Sequence, residues 1–158
     1  MTYHMHLRAL PPTEVQRDGE WVEAFMEAAW RNYEEEYETG VTWAIEKQFD
    51  GLAHLYTGIP DGRVAGDPSG LPVFGGESIP YPLQGGPPFL IMMPEQVQAA
   101  WEFLDGASFD ALWAVSGPAL SAHWPDARSV YQDHHRRLSE FYEDTARCEE
   151  AMIKAFWY

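Results

Sequence analysis

Apolar and polar residues alternate from Tyr3 to Ala9, with Tyr3, Met5, Leu7 and Ala9 on one side and His4, His6 and Arg8 on the other. A period of two predicts a half-buried strand over residues 2–10. Pro11-Pro12 ends it, and Thr13 to Gln16 has the form of a capping box opening a short helix, which Asp18-Gly19 breaks. Between Glu20 and Glu38, Trp21, Phe25, Ala28/Ala29, Tyr33 and Tyr37 recur at helical spacing, and Thr39-Gly40 is a stop. Residues 42–56 are predicted as the next helix, with Ile45, Phe49, Leu52 and Tyr56 on its apolar face and Thr57-Gly58 closing it.

The pattern then changes. Residues 58–88 hold 15 of the chain's 25 Gly and Pro and only four charged side chains, Asp61, Arg63, Asp67 and Glu77. They also hold Leu71, Val73, Phe74, Ile79, Tyr81 and Leu83, more apolar surface than a disordered linker carries. The expectation is a long loop packed over the core, mobile only at its tip, 61–70. Phe89 to Met93 reads as a short buried strand, and Pro94 opens a helix that ends at Gly106. Ser108 caps another, Gly117 to Pro125 is a turn-rich connection, and Asp126 caps a long helix reaching Thr145. Ala151 to Tyr158 is a strand or a last helical turn, and its Ile, Phe, Trp and Tyr favour the strand.

At 158 residues with 46% hydrophobic and 15% aromatic side chains, the chain is long and apolar enough to bury the core of a single domain, 1–158. The formal charge is −15, and no basic cluster is available to neutralise phosphates. That excludes nucleic acid and disfavours an anionic membrane, while a basic protein partner would be attracted. One cysteine, Cys148, allows no internal disulfide and fits a reducing compartment. No apolar run approaches a membrane span and no secretory leader is visible, so a cytoplasmic location is expected.

The order of motifs resembles the YfbM-like family, domain of unknown function 1877. The resemblance rests on Lys47-x-Phe49-Asp50-x-Leu52, Leu55-x-Thr57-Gly58, Gly75-Gly76, Pro94-Glu95-x-Val97, Leu138 with Phe141-Tyr142, and the apolar C-terminal segment. Phe49 stands where the family tends to have Trp. His54 falls one residue after the place of the family's His, which is Ala53 here, and so turns about 100° away on a helix. The resemblance implies an α+β fold, a small antiparallel sheet packed with several helices, with the Gly/Pro-rich loop covering the core. It implies no settled activity, and no cofactor is expected.

Candidate chemistry gathers where the 47–58 helix end meets the covering loop. Lys47, Asp50, His54, Thr57, Glu77 and Tyr81 are the candidate cleft residues, with Lys47 and Asp50 placed to pair across one helix turn. A binding or protein-interaction module is the favoured reading. The rival is a small hydrolase or transferase in which Asp50 and Glu77 form an acid/base pair between the helix end and the 71–88 loop, with His54 beside them. His4 and His6 share a strand face, but zinc needs a third ligand. His123, His134 or His135 would have to supply it at no recognisable spacing, so no metal is expected. Glu34-Glu35-Glu36-Tyr37-Glu38 is a solvated helix face unless a basic partner docks on it. The charge balance gives one direct expectation. A gel shift at physiological salt should show no specific DNA or RNA binding, and submicromolar retardation would overturn the charge argument.

Overall fold

The computed structural model describes residues 4–122 and 124–157. Tyr3, His123 and Tyr158, which entered the sequence reading, lie outside the described residues. Five strands, β1 (His4–Leu10), β2 (Thr42–Glu46), β3 (Glu77–Ile79), β4 (Phe89–Met92) and β5 (Ala151–Trp157), pair antiparallel in the order β2-β1-β5-β4-β3. Seven helices pack on this sheet: α1 (Gly19–Arg31), α2 (Tyr33–Glu38), α3 (Phe49–Thr57), α4 (Leu71–Phe74), α5 (Pro94–Gly106), α6 (Phe109–Leu120) and α7 (Ala127–Arg147). The architecture is α+β. No helix among the described residues is long and apolar enough to cross a membrane.

The sheet divides two cores, and its period of two decides which side chain joins which. Met5, Leu7, Trp43, Ile45, Leu90, Met92, Met152 and Phe156 point to a larger core with the buried faces of α3, α5 and α7. Leu10, Ile79, Phe89, Ile91, Ile153 and Ala155 point the other way, where Val22 and Met26 of α1 cover them. Being buried on both faces, β5 is apolar at almost every position. The exception is Lys154.

Lys154 is fully buried on the larger-core side, at the middle of the central strand. Its Nζ donates to the carbonyls of Leu71 at 2.6 Å, Val73 at 3.2 Å and Gly75 at 3.0 Å. Burial pulls its pKa well below the ordinary lysine value. The three carbonyl oxygens oppose that pull, because an ammonium has three N–H groups to give and a neutral amine two. The Tyr142 hydroxyl of α7 donates to the carbonyl between them, Pro72, at 2.8 Å. Four carbonyls of the segment 71–75 are therefore tied down from below.

Several local expectations are corrected. Residues 42–46 form a strand rather than the start of a helix, because Trp43 and Ile45 alternate inward and the ladder to β1 runs from Arg8↔Thr42 to His4↔Glu46. Lys47 then adopts a left-handed conformation, φ 46°, which turns the chain into α3. Residues 13–17 hold only a 3-10 turn, Pro12–Glu14, and Asp18 starts α1 by accepting from the Trp21 amide at 2.9 Å. The 20–38 helix is interrupted at Asn32. α6 continues through Gly117-Pro118 to Leu120, and Asp126 makes no side-chain cap bond. In the Gly/Pro-rich segment Val73 and Ile79 are buried, but Leu83 is 67% exposed. In its tip Gly62 and Gly70 are buried, while Asp61, Arg63 and residues 65–68 are exposed. A Cβ on Gly62 would lie 2.3 Å from that of Ala53, and one on Gly70 would lie 2.4 Å from the Val64 carbonyl oxygen.

Replacing Lys154 by Met should lower the urea unfolding free energy by about 3 kcal/mol, because three buried carbonyls lose their donor. Amide exchange should quicken across 71–79. Unchanged stability would show that the ammonium carries none of this tie.

Candidate functional site

The sheet separates the residues singled out by sequence. Lys47 is exposed in the turn before α3 and so cannot pair with Asp50 as an i,i+3 helical neighbour. Asp50 lies in the first turn of α3, where burial pushes its carboxyl up and nearby Arg63 opposes that. Both face a cleft of about 350 Å³ with Phe49, Phe74 and Phe156 in its wall. The Arg63 guanidinium sits 4.5 Å above the Phe74 ring. Helix end and covering segment do meet here.

His54 and Thr57 are used in ending α3. The His54 carbonyl accepts from the Gly58 amide at 2.8 Å and from the Ser116 hydroxyl at 3.3 Å. Thr57 donates its hydroxyl to the Ala53 carbonyl and accepts from the Ile59 amide. Glu77 and Tyr81 are on the α1 side of the sheet. Glu77 shares a strand face with Ile79 and takes a 2.8 Å bond from Arg17, and Tyr81 donates to Glu23 of α1 at 2.7 Å. That bond, more than burial, pushes the Tyr81 pKa up to about 12. Asp50 and Glu77 thus share no cleft, and the acid/base pair has no geometry to act through.

A different cluster forms at the opposite end of the sheet, on the α1 side of β1 and β2. α1 stops at Asn32, and α2 restarts at Tyr33 and packs against β2. His4 and His6 project into the gap. The Trp30 ring lies 5.3 Å from His4 and 5.7 Å from His6, and Tyr33 lies 5.7 Å from His6 and 6.2 Å from Trp30. Tyr37 stacks on Tyr33. The result is an open hollow of about 790 Å³ walled by His4, Trp30, Tyr33 and Ala44. Glu34, Glu35 and Glu46 stand on its rim against one cation, Arg31. The sequence did carry a signal for it: Trp30, Tyr33 and Tyr37 at helical spacing beside Glu27, Glu34 and Glu35.

His6 shows how this corner is built. The Thr42 hydroxyl donates to the Leu7 carbonyl at 2.8 Å, so its oxygen accepts from His6, fixing the imidazole proton on Nε2. Nδ1 of His6 is then a bare acceptor, buried and without a partner in the protein. Burial, and after it Arg8 and His4, lower the His6 pKa from 6.5 to about 4. Nδ1 of His4, Oε2 of Glu36 and Nε1 of Trp157 are likewise buried without partners, and all lie on this face. Buried polar atoms are normally satisfied, so such a group of exceptions marks a place where fold and use conflict.

Chemically the hollow suits a cation. Ring faces attract positive charge, carboxylates on the rim reinforce them, and no nucleophile stands beside a base. His4 and His6 share a face as expected from their spacing. Among the described residues, no three His, Cys, Asp or Glu side chains converge as a metal site.

Comparison with known proteins adds a fold. The family described as Domain of unknown function (DUF1877) matches residues 1–155. A crystal structure of YfbM from Escherichia coli, a protein of unknown function, aligns with 98% of this chain and 99% of that chain at a TM-score of 0.63. With 15% sequence identity, that likeness speaks to the fold alone. No curated protein matches the chain.

The lowered His6 pKa has a pH signature. As pH falls the unfolded imidazole takes up its proton first, so the stability His6 contributes is complete above about pH 6.5 and gone by about pH 4. The whole span corresponds to roughly 3 kcal/mol at most. His6→Gln should remove this component, so that the difference in unfolding free energy between the two proteins changes across that window. Parallel pH profiles would place His6 in an environment that does not penalise its charge.

Proposed function

The chain belongs to the DUF1877 family, and on that fold we propose that it is a binding module rather than an enzyme, taking a basic segment of a partner protein in the hollow at Trp30 and Tyr33. The observation that carries this reading is the aromatic wall lined with carboxylates. A cation over an exposed indole contributes about 0.5–1 kcal/mol, rising to roughly 2 kcal/mol as water is excluded. The carboxylates of Glu34 and Glu35 meet no cation within 4 Å among the described ion pairs, which leaves them free for a ligand. Elsewhere the arginines are engaged: Arg8 with Glu36, Arg17 with Glu77, Arg128 with Asp110, and Arg136 and Arg137 with Asp133. The overall charge of −15 steers a basic partner toward the surface before the hollow selects it.

The hydrolase or transferase reading has less behind it. Its carboxylate pair is split by the sheet, and Asp50 is left with Arg63 in its cleft. Cleft residues Lys47, His54 and Thr57 have no partner chemistry there.

A lysine- or arginine-rich peptide titrated into the protein should change Trp fluorescence and bind more weakly as salt is raised. Trp30→Ala should weaken binding roughly tenfold, the equivalent of about 1.4 kcal/mol. Glu34→Gln with Glu35→Gln should do the same. Glu95→Gln with Glu102→Gln, which removes the same charge from α5, should leave binding nearly intact. Equal weakening by the two double variants would reduce the attraction to general acidity and remove the site.

A further inference from the structure

A second hollow adjoins the first. It measures about 460 Å³ and is lined by His4, Glu27, Trp30, Arg31 and Trp157. His4, Trp30 and Arg31 belong to both, so Trp30, 51% exposed, stands as the partition between them. Their electrostatics differ. On the Tyr33 side stand three carboxylates, Glu34, Glu35 and Glu46. On the Trp157 side there is one, Glu27, with two indoles as the dominant surface, and the single Arg31 guanidinium borders both hollows.

We infer that this corner reads two side chains of one extended partner segment, a basic one on the Tyr33 side of Trp30 and an apolar one on the Trp157 side. The inference rests on the binding-module reading above and names what that module recognises. The two hollows ask for different chemistry. A ring-walled hollow with three carboxylates stabilises an ammonium or guanidinium, whereas one with two indoles, a single carboxylate and a guanidinium already beside it gives a second cation little and an apolar side chain a surface to bury. Spacing follows from the shared wall. Two groups resting on opposite sides of one ring, each at van der Waals contact, stand about 7 Å apart. On an extended chain that is the distance between residues i and i+2, which also point to the same side. The recognised element is therefore a basic residue and an apolar residue separated by one position. Charge complementarity favours such a segment over a second copy of this chain, which would bring its own −15.

The test uses four short peptides, acetylated and amidated, on a common uncharged background: Arg-Gly-Leu, Arg-Gly-Gly, Gly-Gly-Leu, and Arg-Leu without the spacer. Affinity is read by calorimetry, and contact by the indole N–H resonances of Trp30 and Trp157. Arg-Gly-Leu should bind roughly tenfold or more tighter than Arg-Gly-Gly, as expected for burying one branched side chain. Arg-Leu should lose most of that gain. The Trp30 resonance should move with both Arg-Gly peptides, and that of Trp157 with Arg-Gly-Leu alone. If Arg-Gly-Gly binds as tightly as Arg-Gly-Leu, or Trp157 responds equally to both, the two-residue readout is wrong while the cation site stands. If no arginine peptide binds or moves Trp30, the binding-module reading falls and this inference falls with it.

Discussion

One buried lysine sets the layout of this protein. Lys154 lies in the strand that every other part of the sheet is built around, and its three donors fix Leu71, Val73 and Gly75 above the centre of the larger core. With Tyr142 holding Pro72, the short helix α4 has no freedom to lift. Helix ends normally leave carbonyls unsatisfied, and here a side chain from beneath satisfies them. The chain must then leave this point in a fixed direction. Gly76, at φ 128°, passes so close to β4 that a Cβ would lie 2.9 Å from the Ile91 carbonyl oxygen. From there the only backbone pairing open to it is the sheet edge, where β3 joins β4. The Gly/Pro-rich segment therefore begins over one core and ends over the other.

That crossing explains how far the sequence could be read. The strands β1, β4 and β5 announce themselves by alternation or by short apolar runs, and α5 and α7 by helical spacing between recognisable starts and stops. β2 did not, because Ile45 of the strand and Phe49, Leu52 and Tyr56 of α3 happen to fall on one helical period. The discriminating residue was Trp43, buried two positions before Ile45, together with a left-handed turn at Lys47 that a lysine side chain does not advertise. The candidate cleft shows the same limit. Asp50 does face the covering segment, through Arg63 and Phe74, the latter inside the stretch tied down near Lys154. Glu77 and Tyr81 lie only a few residues further along, but nothing in their local sequence says that the chain has changed sides.

The hollow at Trp30 was hidden for a related reason. Its parts come from the end of α1, the start of α2, the first residues of β1 and the last of β2, which are distant in sequence and brought together by sheet register. On paper His4 and His6 are the polar half of an alternating strand, and Glu34 to Glu38 a solvated helix face. The break at Asn32 is what turns them into one site. A straight helix from Glu20 to Glu38 would have carried Tyr33 and its acids away from the sheet. The interrupted one swings Tyr33 over His6 and sets Glu34 and Glu35 on the rim.

Charge and shape then have separate roles. An excess of acids over the whole surface attracts any basic molecule and discriminates little among them, because exposed charges are screened within about 8 Å at physiological salt. Surface ion pairs such as Arg136 with Glu140 contribute little stability, but they remove both charges from what a partner meets. Selectivity has to come from a place where a cation is partly withdrawn from water, since only there does its interaction with rings and carboxylates exceed what solvent offers. In the proposed reading the corner at Trp30 offers such a place: His6 is buried with its pKa lowered to about 4, and the rings of His4, Trp30 and Tyr33 lie beside Glu34, Glu35 and Glu46. The polar atoms left without partners below it are tolerated because the tie at Lys154 and the two cores hold the sheet in place without them. A fold whose stability is secured at its centre can keep an imperfectly packed edge, and in the proposed reading that edge is where a partner gains.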